Sequence, residues 1–91
     1  MTGTGKIEFT AHSATMLRER RIERSWVERV LTAPDWQEPD PTDPAAARAF
    51  GAIAEARGKI LRVVYTPIEG GVRVVTAFFD GRARKPSRSD Q

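Results

Sequence analysis

His12 is the only histidine in this sequence, and therefore the only side chain whose ordinary pKa lies near neutral pH. It falls in the first turn of a predicted helix that begins at Ala11, where the positive end of the helix dipole disfavours the imidazolium. A neutral imidazole can accept a proton, which suits a general base in phosphodiester cleavage. The structural alternative is a histidine that bonds a backbone group and holds the turn before the helix.

Arginine is unusual within apolar strands, yet this chain places several on or just beyond its predicted strands: Arg48, Arg62, Arg73 and Arg82. A planar guanidinium can clamp a phosphate at two points, and such preorganised donors stabilise the charge that develops on phosphorus. The same side chains can instead extend past the sheet edge or pair with Glu55, Glu69 or Asp80. The sequence leaves both interpretations open.

Two hydroxyl groups lie on the same predicted strands as these arginines, those of Tyr65 and Thr76. Tyr65 could orient a phosphate or stack on a base. Considered alone, each residue fits a half-buried core position better.

The most apolar stretch, residues 59–79, positions these candidates and predicts a β-hairpin. Two arms rich in β-branched and aromatic residues flank a breaker segment, residues 67–71, that contains two glycines. Both faces of the arms are mostly apolar, so we expect a central hairpin, with helices on one face and the other partly covered or facing a ligand. A slip of one residue would exchange Arg62 and Tyr65 between the faces, which leaves the register open.

The first third of the chain predicts a short strand followed by two helices. Residues 6–10 alternate in polarity as a strand does, and Thr10 can cap a helix that runs from Ala11 to near Arg21. Ser25, followed three residues later by Glu28, has the spacing of a capping box that opens a second helix. Pro34 ends this helix.

Residues 34–44 hold four of the six prolines and four acids, so we predict a mobile surface loop, either a connector or a lid. We expect Trp36 to dock on the core, with an exposed stacking platform as the alternative. Residues 45–57 predict a strand that leads into the hairpin. The predicted fold class is therefore α+β, with two N-terminal helices packed on an antiparallel sheet of three to four strands. The expected organisation is one domain over residues 6–84, a disordered N-terminus (1–5) and a flexible basic tail (85–91).

The composition limits the classes of protein to consider. The chain has 91 residues, 40% of them hydrophobic and 30% charged, which suits one small folded domain. No apolar run approaches the ~20 residues that span a bilayer, and the first ten residues lack the apolar core of a signal peptide, so we expect a cytoplasmic protein without a membrane partner. With no cysteine and one histidine, we expect neither a metal site nor a cofactor.

The net charge of +3 is unevenly distributed along the chain. We predict that nucleic acid binds to the arginines of the first helix and of the C-terminal segment: Arg18, Arg20, Arg21, Arg82 and Arg84. The acids concentrate in the predicted loop instead. An acidic protein is the other partner that a basic surface favours. The structural alternative is a solvated helix face with intrahelical ion pairs to the interspersed Glu19, Glu23 and Glu28.

Several short motifs resemble those of the domain of unknown function 4258 family. They are, in order, Phe9-Thr10-x-His12, Arg18-x-Arg20-x-Ile22, Val30-Leu31-x-x-Pro34-Asp35, an arginine at 48, Leu61-Arg62-Val63-Val64-Tyr65 and Val74-Val75-Thr76-Ala77-Phe78. The resemblance spans residues 6 to about 84. It departs at Met16, where the family has a basic residue, at Ser13 in place of alanine, and at Arg21 in place of glycine.

That family looks related to the RelE/ParE-like and BrnT-like small toxins, which implies a RelE/ParE-like toxin fold. The resemblance implies an acid–base role for His12, phosphate clamping by Arg48 and Arg62, and orienting roles for the hydroxyls of Tyr65 and Thr76. The implied function is a toxin-like RNA-binding or metal-independent RNA-cleaving domain of a toxin–antitoxin system, with RNA or the ribosome and an acidic antitoxin-like protein as partners. The alternative is a non-catalytic protein- or nucleic-acid-interaction module, and the oligomeric state stays open.

Overall fold

Two α-helices and five strands make up the described part of the chain, residues 5–85 of a computed structural model. Their order is β1 (Lys6–Phe9), α1 (Ala11–Arg20), α2 (Arg24–Thr32), β2 (Trp36–Pro39), β3 (Ala47–Ile53), a 3-10 turn (Ala54–Ala56), β4 (Lys59–Ile68) and β5 (Gly71–Phe79). The α+β class is confirmed. The predicted disordered N-terminus and basic tail lie, apart from Gly5 and Lys85, outside the described residues.

The strands form one mixed sheet in the order β1-β5-β4-β3-β2, which is larger than the predicted three to four antiparallel strands. The difference comes partly from β1, which pairs in parallel with β5 from Lys6 opposite Gly71 to Phe9 opposite Val74. The two backbones approach closely, since a Cβ added at Gly71 would lie 1.9 Å from the carbonyl oxygen of Lys6. Glycine is thus required where β1 joins the sheet.

The predicted central hairpin is present as β4 and β5, although its arms are longer than the sequence suggests. Pro67 and Ile68 belong to β4, and the reversal occurs at residues 69–70, where Gly70 has a φ of +80°. Val64 pairs with Thr76 and Tyr65 with Val74, so Val75 is an extra residue in β5. Such a bulge strengthens the local twist and redirects the neighbouring side chains.

The start of α1 is capped as predicted. Ser13 donates its backbone N–H to Thr10 Oγ1 at 3.0 Å, and Thr10 donates its backbone N–H to Ser13 Oγ at 2.9 Å. The predicted capping box of α2 is wrong, because the helix already begins at Arg24 with Glu23 at the N-cap and no side-chain cap. Ser25 therefore lies inside the first turn and is not in the capping position.

The predicted loop over residues 34–44 contains β2, which pairs with β3 at the edge of the sheet, Trp36 opposite Phe50. The local composition suggests a loop because Pro39 cannot donate to a strand ladder. Proline is tolerated on an edge strand, however, where one side of the backbone faces no partner. The segment is therefore anchored to the sheet through its first half.

The hydrophobic core lies between the helices and one face of the sheet. It is formed by the buried side chains Leu17, Ile22, Val27, Val30, Leu31, Ala49, Ile53, Leu61, Val63, Val74 and Ala77. Because side chains alternate along a strand, Arg62, between Leu61 and Val63, points to the opposite side, which we call the open face. Among the described residues, no helix is long and apolar enough to span a membrane.

Candidate functional site

The residues proposed for catalysis fall into three places. Arg48 and Thr76 are both cross-strand partners of Val64, and they share the open face with Arg62. Tyr65 lies on the helix-covered side, and His12 is exposed on α1. The fold therefore brings together part of the set predicted from the sequence and separates the rest.

Arg62 is held by a carboxylate and two aromatic rings. Its Nε donates to Asp80 Oδ2 at 3.1 Å, and its Nη2 donates to the same oxygen. The guanidinium lies 4.6 Å from the ring centroid of Phe78 and 5.9 Å from that of Phe50. The Nε–Nη2 edge of the guanidinium, one of the two edges that can clamp a phosphate, is thus occupied by Asp80, one of the partners that the sequence suggested.

The acidity of Asp80 reflects this contact. Burial acts to raise the pKa of its carboxyl group, but hydrogen bonds from the Arg82 backbone and the Arg62 side chain, with the charge of Arg62, outweigh burial and lower it below its usual value. Asp80 is therefore ionised at neutral pH. Arg62 and Asp80 form a charge-neutral pair on the open face.

Arg48 is also paired with carboxylates. Its Nε lies 3.3 Å from Asp40 Oδ1, and its Nη1 lies 3.5 Å from Glu38 Oε2. The pKa of Asp40 is lowered first by the hydroxyl of Thr42 and also by Arg48, against the opposing effect of burial. Both acids belong to the segment that the sequence predicted as a free loop, and they neutralise the charge of Arg48.

The contacts of Tyr65 are those of a residue with a structural role. Its hydroxyl donates to Gln37 Oε1 at 2.7 Å, and its ring packs against the core cluster. Burial raises the pKa of Tyr65 above its usual value, so the phenol is neutral at physiological pH. It lies on the opposite side of the sheet from Arg48 and Arg62.

The side chain of His12 makes no hydrogen bond within residues 5–85. The turn before α1 is held by Thr10 and Ser13 instead, which are the groups that close the capping box. Residues four apart on a helix share one face, so His12, Met16 and Arg20 form a single stripe along α1. This stripe borders β5, because Thr76 Oγ1 lies 3.2 Å from both Met16 Sδ and Arg20 Nη1.

Arg20 is fixed on the free edge of β5. Strand β1 pairs with β5 only as far as Val74, so the backbone beyond that point has no strand partner on this side. Arg20 Nη1 donates to the Ala77 carbonyl at 2.9 Å and to Thr76 Oγ1 at 3.2 Å. The Nε–H and both Nη2 hydrogens form no bond in the described part of the chain, which leaves the two-point edge of this guanidinium available.

The arginines proposed to bind nucleic acid share one property. The five are Arg18, Arg20, Arg21, Arg82 and Arg84. None of them forms an ion pair among the described residues, whereas four other arginines do: Arg29, Arg48, Arg62 and Arg73. They do not form one patch. Arg18 and Arg21 line a groove between the helices, and Arg84 lines a separate cavity of about 270 Å³ beside Lys59 and Phe79.

The sequence interpretation missed an aromatic row on the open face. Trp36 stacks on Phe50 with ring centroids 4.5 Å apart and an interplanar angle of 5°. Arg62 lies between Phe50 and Phe78, and Arg20 reaches to 5.8 Å from Phe78 at the far end. Trp36 thus docks on a buried hydrophobic residue, as predicted, although Phe50 lies on the open face and outside the core cluster beneath the helices.

The signal that would have revealed this row is the cross-strand register, which places Trp36, Phe50, Arg62 and Phe78 opposite one another. Register was the quantity that the strand pattern left open. In the described part of the chain, no group of three or more His, Cys, Asp or Glu side chains is placed to hold a metal ion. At the α1–β5 edge, the side chain of His12 and the Nε and Nη2 groups of Arg20 form no bond in the described part of the chain, whereas the Thr76 hydroxyl bonds to Arg20 and Met16.

Comparisons with known proteins give one match. No curated protein matches the chain, and no solved structure does. The family model described as Domain of unknown function (DUF4258) matches residues 9–79, which include His12, Arg20, Arg48, Arg62 and Thr76. Because the match covers more than half of the chain, the predicted membership is confirmed, and this protein belongs to the DUF4258 family.

Proposed function

We propose that this domain is a toxin-like RNA-binding domain that cleaves RNA without a metal, and that it does so at the edge where α1 borders β5. The observation that carries the proposal is the anchoring of Arg20. Its Nη1 is held by Ala77 and Thr76, while its Nε and Nη2 face no acid in the described structure. A guanidinium fixed in this way is preorganised to bind a phosphate at two points.

The proposed mechanism uses the RNA itself as the nucleophile. His12 accepts the proton of the ribose 2′-hydroxyl, whose oxygen bonds to the adjacent phosphorus as the bond to the 5′-oxygen of the next nucleotide breaks. Water protonates the leaving oxygen, and the product carries a 2′,3′-cyclic phosphate. Arg20 stabilises the charge on the phosphoryl oxygens, and Thr76 acts as a positioning residue because it holds Arg20.

This proposal changes the roles of three of the predicted residues. Arg20, predicted only as a binding residue, takes the clamping role that the resemblance implied for Arg48 and Arg62. Arg48 pairs with Asp40 and Glu38, and Arg62 pairs with Asp80. We therefore propose that these two arginines have a structural role on the open face.

The proposal includes a relationship to the RelE/ParE-like toxins. Its support is the element order, in which β1 and two helices precede the other strands of a sheet whose central strands are antiparallel. We also propose that the protein acts in the cytoplasm, where it would encounter RNA, the ribosome and an acidic antitoxin-like partner.

A second candidate function is a non-catalytic interaction module. One observation favours it: two of the three arginines on or beside the open face are neutralised by carboxylates, and Tyr65 lies on the other side of the sheet. A module of this kind would bind its partner without needing His12.

The test is RNA affinity as a function of salt, measured for the wild type, Arg20→Gln and Arg57→Gln. Arg57 is exposed and outside every ion pair of the described chain, so it controls for net charge. We expect affinity to fall as salt rises, because bound RNA releases counterions, and Arg20→Gln to weaken binding about tenfold and flatten the salt dependence by about one phosphate. Absence of RNA binding by the wild type at about 50 mM salt, where electrostatic attraction is strong, would refute the proposal.

A further inference from the structure

A groove separates the end of α1 from the start of α2, on the side of α1 away from the proposed cleavage edge. It encloses about 410 Å³. The two helices diverge because they rest on different strands, α1 on β5 and β1, α2 on β3 and β4. Only residues 21–23 join them, and Arg21 makes the reversal with a left-handed φ of 58°. We call this feature the helix groove.

The floor of the helix groove is aliphatic. Leu17 and Ile22 are almost completely buried, and the half-buried Ala14 completes the surface. Among the residues that the structure describes, no aromatic ring lines it. A floor of this kind accommodates an aliphatic side chain, whereas a nucleobase is held best by aromatic stacking and by hydrogen bonds to its edges.

The rim is basic. Arg18, Arg21 and Arg24 are exposed, and none of them forms an ion pair in the part of the chain that the structure describes. Glu23 is the single acid among the described residues of the lining, so three arginines less one glutamate leave these residues with a charge of +2. Two of the arginines are already oriented, Arg18 by a hydrogen bond to Thr15 Oγ1 at 3.3 Å and Arg24 by the ring of Phe9 at 4.6 Å.

An aliphatic floor beneath guanidinium groups matches one class of ligand. Carboxylates pair with guanidinium groups in two-point geometry, and an aliphatic side chain gains free energy when the floor removes it from water. We propose that the helix groove binds an acidic peptide segment of a partner protein, with one aliphatic side chain on the floor and flanking carboxylates at Arg18, Arg21 and Arg24. This site is separate from the proposed RNA edge, since Arg20 takes no part in it.

The probes are two short acidic peptides of equal charge, one with a central leucine and the other with serine in its place. Each is titrated into the full-length protein while amide chemical shifts are recorded by NMR. We expect the leucine peptide to shift the amides of Leu17, Arg21 and Ile22 and to bind about tenfold more tightly than the serine peptide. The amide of Ala77, on the RNA edge, should not move.

A matched pair of variants separates the groove from general charge. Arg21 and Arg57 are both exposed arginines with left-handed backbones, φ 58° and 63°, so Gln replaces the same charge at a similar backbone cost in each. We expect Arg21→Gln to weaken the leucine peptide about two- to fivefold and Arg57→Gln to leave its affinity unchanged.

Three results would overturn the inference. Equal affinity of the leucine and serine peptides would show that the aliphatic floor is not used. Absence of saturable shifts in the groove at about 1 mM peptide would show that no such site exists. Tighter occupation of the same amides by a single-stranded RNA oligonucleotide of equal charge would assign the groove to RNA. None of these results depends on Arg20, so the RNA proposal stands or fails separately.

Discussion

One carboxylate oxygen of Asp80 accepts hydrogen bonds from both Nε and Nη2 of Arg62, so a carboxylate of the protein itself occupies the Nε–Nη2 edge of that guanidinium. The pair is mostly buried, with 18% of the Arg62 side chain and 15% of the Asp80 side chain exposed. It joins the centre of β4 to the residue that follows β5. This contact is therefore expected to stabilise the end of the hairpin.

Removing the charge of Asp80 should destabilise the fold. Asp80→Asn preserves the shape of the side chain but leaves Arg62 without its counter-charge between Phe50 and Phe78. We expect the free energy of unfolding to fall by about 1–3 kcal/mol, measured by urea denaturation. Glu55→Gln, which breaks the exposed pair with Arg29, should have a smaller effect. Similar losses in the two variants would contradict the structural role of Arg62.

The same pair gives the stability a pH dependence. Because the pKa of Asp80 is lowered in the folded protein, its contribution is complete above its unfolded pKa of about 4 and is lost as the pH falls through the folded value. Asp40 acts in the same direction. We expect the urea concentration at the unfolding midpoint of the wild type to decrease when the pH is lowered below about 4. The midpoint of Asp80→Asn should decrease less over the same pH range. Parallel acid profiles for the two proteins would exclude Asp80 as a source of the effect.

His12 should matter for cleavage and not for binding. If it is the general base, His12→Ala should slow RNA cleavage by about 100- to 10,000-fold while RNA affinity stays within twofold or so, because the side chain is exposed and makes no bond in the described chain. The assay is single-turnover cleavage of an RNA oligonucleotide, with a 2′,3′-cyclic phosphate as the product to identify. Thermal melting of the variant controls for folding. A folded His12→Ala protein that cleaves at the wild-type rate would remove His12 from the mechanism.

Gly71 should be essential for the attachment of β1. In Gly71→Ala the new Cβ would meet the Lys6 carbonyl oxygen at 1.9 Å and its nitrogen at 2.8 Å, so the two backbones must separate. We expect faster amide exchange at Ile7 and Phe9 and a loss of stability of several kcal/mol, about the level of a large core defect. Gly81→Ala is the control, because nothing lies near the Cβ that it adds. Unchanged amide exchange in β1 would mean that the strand accommodates the added methyl group and stays paired with β5.

Trp36 should anchor the segment that its prolines would suggest is mobile. Its ring covers Phe50 on the open face, and Trp36→Ala removes that stacking pair. We expect a loss of about 2–4 kcal/mol and faster proteolysis between Asp35 and Asp40 than in the wild type. In the wild type, the amides of β2 that bond to β3 should exchange more slowly than those of residues 41–45. Uniformly fast exchange across residues 34–44 would restore the original prediction of a mobile loop.

The elements that the sequence predicted well are those with local signals. The hairpin has two β-rich arms around a glycine-containing reversal, and α1 has Thr10 in the capping position. The elements that it missed depend on distant partners. Trp36–Pro39 becomes a strand only because β3 lies beside it, and no local pattern states that Lys6 will lie against Gly71.

The candidate site was predictable in its residue types and not in its pairings. Arginine within a strand was noticed, but whether Arg48 meets a phosphate or Asp40 is decided by the path of the acidic segment across the sheet. Arg20 looked like one of several helix arginines. It becomes distinctive because β1 stops at Phe9, so that the carbonyl of Ala77 is exposed and bonds to it.

The contact between α1 and β5 also fixes when the α1–β5 edge can form during translation. His12 and Arg20 emerge from the ribosome early, as part of α1, but Thr76 and Ala77, which hold Arg20, emerge near the end of the described chain. Contacts between such distant parts of a chain form slowly, since a long loop must close first. A nascent chain that has not yet released β5 therefore lacks the α1–β5 edge, and any activity of that edge would begin only after β5 has emerged.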